Sequence, residues 1–346
     1  MRKSLIQAAK FTAFLAIGIL LLWLAFRTVD FRGLAEGLKG ADYSWLILSS
    51  FFGIVAYLSR ARRWIILINP LGYNPSFANT FYALMSGYLA NLALPRVGEI
   101  TRCMALGKKE KIPADQLVGT VVVERTIDFI SLLVIMMVLF FTSGSSIREY
   151  LNESVIFPLR DKIFSVFGSA LIPWIIFFVL TGTSLFLIIR HRKQLRKIKL
   201  VSKLFDLAKG VINGLKTITN LKRNWEFIFH TIFIWLNYAM MTWVVVFCLE
   251  STSHLSFGNS IFILVIGGLA MSAPVQGGVG AFHYFVSRGI AFVEGVNIED
   301  AMAYAILTHE SQLVVVLILG AISFYMLYRK NKTKNNDPSG RMNTGT

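Results

Sequence analysis

The chain has 346 residues, of which 55 % are hydrophobic and only 16 % charged, with a formal net charge of +16. Soluble domains carry about 25 % charged residues, so a mean hydropathy of +0.60 excludes an ordinary soluble enzyme and points to an integral membrane protein. The basic excess lies in gaps between apolar runs, above all residues 190–223, which fits cytoplasmic retention and attraction to anionic headgroups rather than nucleic-acid binding.

In chain order, apolar stretches approaching the ~20 residues a bilayer requires predict spanning helices at about 9–26, 43–59, 117–141, 171–189, 228–249 and 302–327. The first follows "MRKSLIQAAK" and precedes Arg27, Asp30 and Arg32 with no small-residue cleavage site, so an uncleaved helix is expected rather than a signal peptide. "SRARRW" (59–64) reads most simply as an interfacial anchor with Trp64 at headgroup level.

Two further stretches, 77–94 and 257–293, are apolar but broken by proline and glycine. If 77–94 crossed fully, the loop with Arg96, Arg102, Lys108, Lys109 and Lys111 would face away from the loop holding Arg60, Arg62 and Arg63. The positive-inside rule disfavours that. A re-entrant 77–94 from the cytoplasm and a re-entrant 257–293 from the outside put every basic loop, and the tail after the last helix, inside. Eight full spans are the alternative, with one strongly basic loop on the wrong side.

"NLALPRVGEITR" and "AMSAPVQGGVGAFH" each place glycine three positions after proline, at Pro95 and Gly98 and at Pro274 and Gly277. Proline removes a backbone donor and glycine permits a bend, so each motif reads as a helix break, with Gly278 and Gly280 adding freedom to the second. Paired breaks in two halves point to a transport site near the midplane, although proline and glycine are also common in spanning helices. The fold expected is an all-α polytopic membrane protein with about six spanning helices, two oppositely oriented re-entrant hairpins, an inverted repeat and both termini cytoplasmic. Residues 1–328 would form a single transmembrane domain and 329–346 a disordered basic tail.

"VVVERTIDFISLL" puts Glu124, Arg125 and Asp128 early in a spanning helix, where each charge costs at least ~2.5–3.5 kcal/mol and seeks a partner. Arg96, Glu99 and Arg102 of the hairpin are the expected partners. Near a helix start these arginines suit an anion such as a lipid phosphate, while a purely structural Arg-Glu-Arg brace explains the same residues. Gln276 and His283 of the second hairpin are expected to face this group, completing a substrate-binding set. His309 and Glu310 in "AILTHESQL" are candidates for proton coupling, against the plainer reading of a packed histidine. Cys103 and Cys248 show no metal-ligand spacing, and no metal or cofactor is expected.

Asn91, Pro95, Gly98, Glu99 and Arg102, then Glu124, Arg125 and Asp128, then Pro274, Gly277, Gly278 and Gly280 resemble the flippase-like membrane domain shared by lysylphosphatidylglycerol synthases and their stand-alone relatives. The resemblance covers nearly the whole chain except the tail. It implies a multi-pass protein of the bacterial inner membrane that moves lipids or lipid-linked precursors between leaflets, with anionic or sugar-linked lipids as partners. The family often has an acidic residue where His283 stands and an arginine where His309 stands. Lysyl transfer is not expected, since no soluble transferase domain follows the last helix, and no catalytic constellation or ATP-binding motif is present. The alternative function is an accessory subunit or scaffold whose basic 190–227 loop recruits a cytoplasmic partner.

Overall fold

In a computed structural model of the protein, the residues described are 16, 19–27, 29–94, 96–158, 160, 161, 183, 223–273 and 275–329. Their regular structure is entirely helical. The expected span at 171–189 apart from residue 183, nearly all of the 190–227 loop, the tail after 329, Pro95 and Pro274 lie outside the described residues. Of the first expected span, residues 19–26 are helical.

The helices are α1 (Phe31–Lys39), α2 (Ser44–Ile68), α3 (Phe77–Ala93), α4 (Val97–Glu110), α5 (Ala114–Thr142), α6 (Ser145–Leu151), α7 (Asn224–Val244), α8 (Phe257–Met271), α9 (Ala281–Glu294) and α10 (Ile298–Tyr328). Three stretches, Ser44–Leu71, Asn224–Cys248 and Ile298–Leu327, are long and apolar enough to cross a membrane. In α5, 29 residues long, Asp115, Glu124, Arg125 and Asp128 precede an uncharged run from Phe129 to Thr142. The bundle is apolar outside: Ile47 and Phe141 are 75 % exposed, with Ile232, Met137 and Ile318 also turned outward. Its most deeply buried large side chains include Arg63 and Arg102. An arrangement that hides charge and exposes hydrocarbon suits a lipid surrounding.

Both glycine-containing breaks form helical hairpins. Asn91 caps the first break by accepting from the Gly98 amide at 2.7 Å, and Arg96 turns the chain in the left-handed region with φ 63°. The arms α3 and α4 touch at backbone distance: a Cβ on Gly98 would lie 2.0 Å from the Gly87 carbonyl oxygen. In the second hairpin Gly277, Gly278 and Gly280 all take positive φ, which few other residues tolerate.

The open ends of the two hairpins are built alike. "SFANT" (76–80) and "SFGNS" (256–260) stand 180 positions apart. Ser76 and Ser256 cap α3 and α8 by accepting from the Asn79 and Asn259 amides, and Thr80 and Ser260 donate back to the Ser76 and Ser256 carbonyls. Asn79 then donates to Glu110, the last residue of α4, at 2.5 Å, and Asn259 donates to Glu294, the last residue of α9. Each hairpin is therefore clasped at its mouth by one Asn-Glu pair.

The packing repeats too. α2 against α3, α3 against α4 and α4 against α5 have counterparts in α7 against α8, α8 against α9 and α9 against α10. Across the halves, α3 packs on α10 as α8 packs on α5. The first helices of the two halves, α2 and α7, run antiparallel: Ser49 donates to the Met241 carbonyl at one end, and Arg62 pairs with Glu226 at the other. The tips of the hairpins meet, since Arg96 donates to the Ser272 carbonyl at 3.2 Å and Gly277 abuts Leu92.

Candidate functional site: two buried polar clusters

Charge is concentrated where α2, α4 and α5 converge. Arg60 and Arg63, three positions apart, share one face of α2, and Glu124 and Asp128, four apart, share one face of α5. Arg60 Nη2 donates to Glu124 Oε1 at 2.5 Å and to Asp128 Oδ2 at 2.6 Å, and Arg63 Nη2 donates to Asp128 Oδ1 at 2.5 Å. Arg102 enters from α4, with Nη2 3.0 Å from Glu124 Oε2 and its guanidinium 4.7 Å over the Trp64 ring. Arg63 and Glu124 are fully buried, and Arg60 and Arg102 nearly so. Three guanidiniums face two carboxylates, so the cluster carries one net positive charge. The Nε and Nη1 atoms of Arg102 have no hydrogen-bond partner among the described residues.

Arg60 and Arg63 are the members of this buried cluster that sequence reasoning missed, and the anchor reading of "SRARRW" is corrected here. Trp64 is fully buried, with its indole N–H donating to Thr120 Oγ1 at 2.9 Å. Headgroup anchoring and burial leave the same signature of Arg and Trp late in an apolar helix. The discriminating signal was the pair of carboxylates at helical spacing on α5, which require buried cations.

Arg125 lies on a different side of α5 from Glu124 and meets Glu99 at 3.3 Å. This half-exposed pair lies in a groove of about 440 Å³ between α4 and α5, lined also by Ile100, Val118, Val122 and Phe129. Arg96, expected beside Glu99 and Arg102, instead bridges the hairpin tips.

The second cluster joins α9 to α10. His309 Nδ1 is 2.9 Å from Glu310 Oε1, and its Nε2 is 2.8 Å from the Gly277 carbonyl oxygen. His283 Nε2 is 3.4 Å from the same Glu310 oxygen, and its Nδ1 accepts from the Gly280 amide at 3.4 Å. Both imidazoles are buried, with ring centres 5.0 Å apart. The structure thus groups His283 with His309 and Glu310 instead of placing it opposite the arginines. Gln276 sits at the second hairpin's turn, its side-chain nitrogen without a hydrogen-bond partner among the described residues. His283, His309 and Glu310 bring their ligating atoms within 4.8 Å of one another, a possible metal-binding group that sequence spacing alone did not suggest.

An apolar exterior, buried ion pairs and two broken hairpins meeting at their tips define a helical membrane protein. The chain belongs to the family of the lysylphosphatidylglycerol synthase TM region, whose family model matches residues 11–320. It is 23 % identical over 359 aligned residues to the UPF0104 membrane protein MJ1595 of Methanocaldococcus jannaschii, an alignment covering 94 % of this chain and 97 % of that relative. No solved structure matches the chain.

Proposed function

We propose that this protein moves anionic lipids or lipid-linked precursors between the leaflets of a cytoplasmic membrane, without chemistry on the lipid. The observation that carries the reading is the net positive charge buried against the first hairpin, with Arg102 holding donors unfilled among the described residues. A phosphate is the natural ligand for forked guanidinium donors in an apolar setting. In this reading the headgroup enters the groove between α4 and α5, where Arg125 exchanges Glu99 for phosphate, and Arg102 and the hairpin tips lie deeper. Ile100, Val118 and Phe129 keep the acyl chains on the lipid side. Glu99 holds Arg125 when the groove is empty, so the site stores no unpaired surface charge.

The same reading takes α3 and α4 as a re-entrant hairpin from the cytoplasmic face and α8 and α9 as one from the outer face, with six spans and both termini cytoplasmic. The two Asn-Glu clasps then lie at opposite membrane faces, as an inverted repeat requires. With no ATP-binding motif in the sequence, an ion gradient or the lipid gradient itself would drive transport.

The test is leaflet accessibility of fluorescent phosphatidylglycerol to a membrane-impermeant quencher in proteoliposomes. We expect the wild type to exceed protein-free vesicles, with Glu99→Gln and Arg125→Gln reducing the rate at least tenfold at unchanged helix content. A wild type equal to empty vesicles, or both variants equal to wild type, overturns the reading.

A further inference from the structure

We propose that His283, His309 and Glu310 form a binding site for a single divalent transition-metal ion of the zinc type. Two of the ligands stand on α10 and one on the first turn of α9, so a bound ion cross-links the second hairpin to the last helix. The ligating atoms of the three side chains lie within 4.8 Å of one another. His283 Nε2 is 3.4 Å from Glu310 Oε1, and His309 Nδ1 is 2.9 Å from the same oxygen. Ligands about 2.0–2.2 Å from a tetrahedral ion stand about 3.3–3.5 Å from each other. The His283 spacing already meets that requirement, and the His309 contact has to open by about half an ångström.

A second observation is the direction of the lone pairs. His309 Nε2 lies 2.8 Å from the Gly277 carbonyl oxygen. A carbonyl can only accept, so that nitrogen carries the single N–H of a neutral imidazole. Nδ1 is left with a lone pair aimed at the Glu310 carboxylate, two acceptors within hydrogen-bond distance that a cation reconciles. Histidine ligands characteristically donate their other ring N–H to a carbonyl or carboxylate, which fixes the tautomer and turns the bare nitrogen to the metal. The Gly277 carbonyl does this for His309. At His283 coordination has a cost: an ion on Nε2 moves the hydrogen to Nδ1 and releases the long 3.4 Å contact from the Gly280 amide.

The donor set selects the ion. Two imidazoles with one carboxylate suit zinc, iron, nickel or copper, whereas magnesium and calcium take oxygen ligands. Three protein ligands leave a fourth position for water. Both imidazoles are buried, while the Glu310 side chain is 44 % exposed and gives an ion its way in.

What the ion holds is the turn from Gly277 to Gly280, whose three glycines at positive φ have little helical preference of their own. His283 follows that turn, His309 binds its first carbonyl, and Gly277 abuts Leu92 at the tip of the first hairpin. The site uses none of the arginine cluster, so it stands or falls independently of lipid movement.

The test takes the full chain without a histidine tag, strips it with chelator in detergent and dialyses it against zinc at neutral pH. We expect a single zinc per chain by elemental analysis, two imidazoles in the zinc X-ray absorption spectrum, and a higher melting temperature with zinc than with chelator. His283→Gln and His309→Gln should each weaken zinc binding by roughly tenfold or more. His254→Gln, at an exposed position, should leave it unchanged. Zinc uptake by the wild type no greater than by the double variant His283→Gln/His309→Gln overturns the proposal. So does a bound zinc whose spectrum shows fewer than two imidazoles, a readout that needs no variant to fold.

Discussion

At the scale of single residues, Glu124 contacts more of the buried charge than any other group: it accepts from Arg60, lies 3.0 Å from Arg102 and 3.7 Å from Arg63. Glu124→Gln leaves three guanidiniums against Asp128. Removing one partner of a buried ion pair costs ~3–5 kcal/mol, because the other charge stays desolvated. The variant should unfold at a clearly lower temperature in detergent, whereas Glu99→Gln, which breaks a half-exposed pair, should shift it little. Equal melting temperatures for Glu124→Gln and wild type would show that the cluster is hydrated or otherwise compensated. The carboxylates were legible in the sequence because charge in an apolar run stands out. Arg60 and Arg63 were harder to read, since a basic residue late in a helix has a cheap alternative at the headgroups and only the fold reveals which option it takes.

At the scale of elements, the hairpins depend on backbone approach. Gly98 lies so close to the Gly87 carbonyl that a methyl group there forces α3 and α4 apart. Gly98→Ala should therefore abolish recovery of monodisperse protein. Gly119, inside α5 with open space around it, offers the control. Gly119→Ala should keep or raise the melting temperature, since alanine is favoured in helix interiors by roughly 1 kcal/mol. If Gly98→Ala is tolerated as well as Gly119→Ala, the tight packing is not required. The breaks themselves could be read from the Pro-x-x-Gly spacing. The clasps could not, because Glu110 and Glu294 lie about 30 residues from their asparagines and look like ordinary helix-end charges. α2 also continues to Ile68, nine residues past its expected end at 59: with Arg60 and Arg63 paired internally, the helix need not stop at the headgroups.

At the scale of the whole molecule, the halves are bound to each other as closely as each is to itself. α2 lies along α7, α3 on α10 and α5 on α8, so each hairpin also buries one arm against the other half. The succession of helix, hairpin and helix in two rounds was visible in the hydropathy pattern, but the seam joining them was not, because α2 and α7 are separated by a long basic stretch and each reads alone as a plain span. That seam has a consequence for how the protein can be made. Two separately translated fragments, cut between residues 200 and 201, should find each other in the membrane and co-purify through a tag on either one. Alone, each fragment should be degraded or aggregate, since half a seam exposes Arg60 and Arg63 without the α7 groups Tyr238 and Thr231 that they contact. Fragments that are each stable alone and ignore one another would mean the two rounds are separate modules. Co-purification would mean that the chain retains the assembly rule of an antiparallel dimer, with covalent linkage serving to fix the partners in equal number.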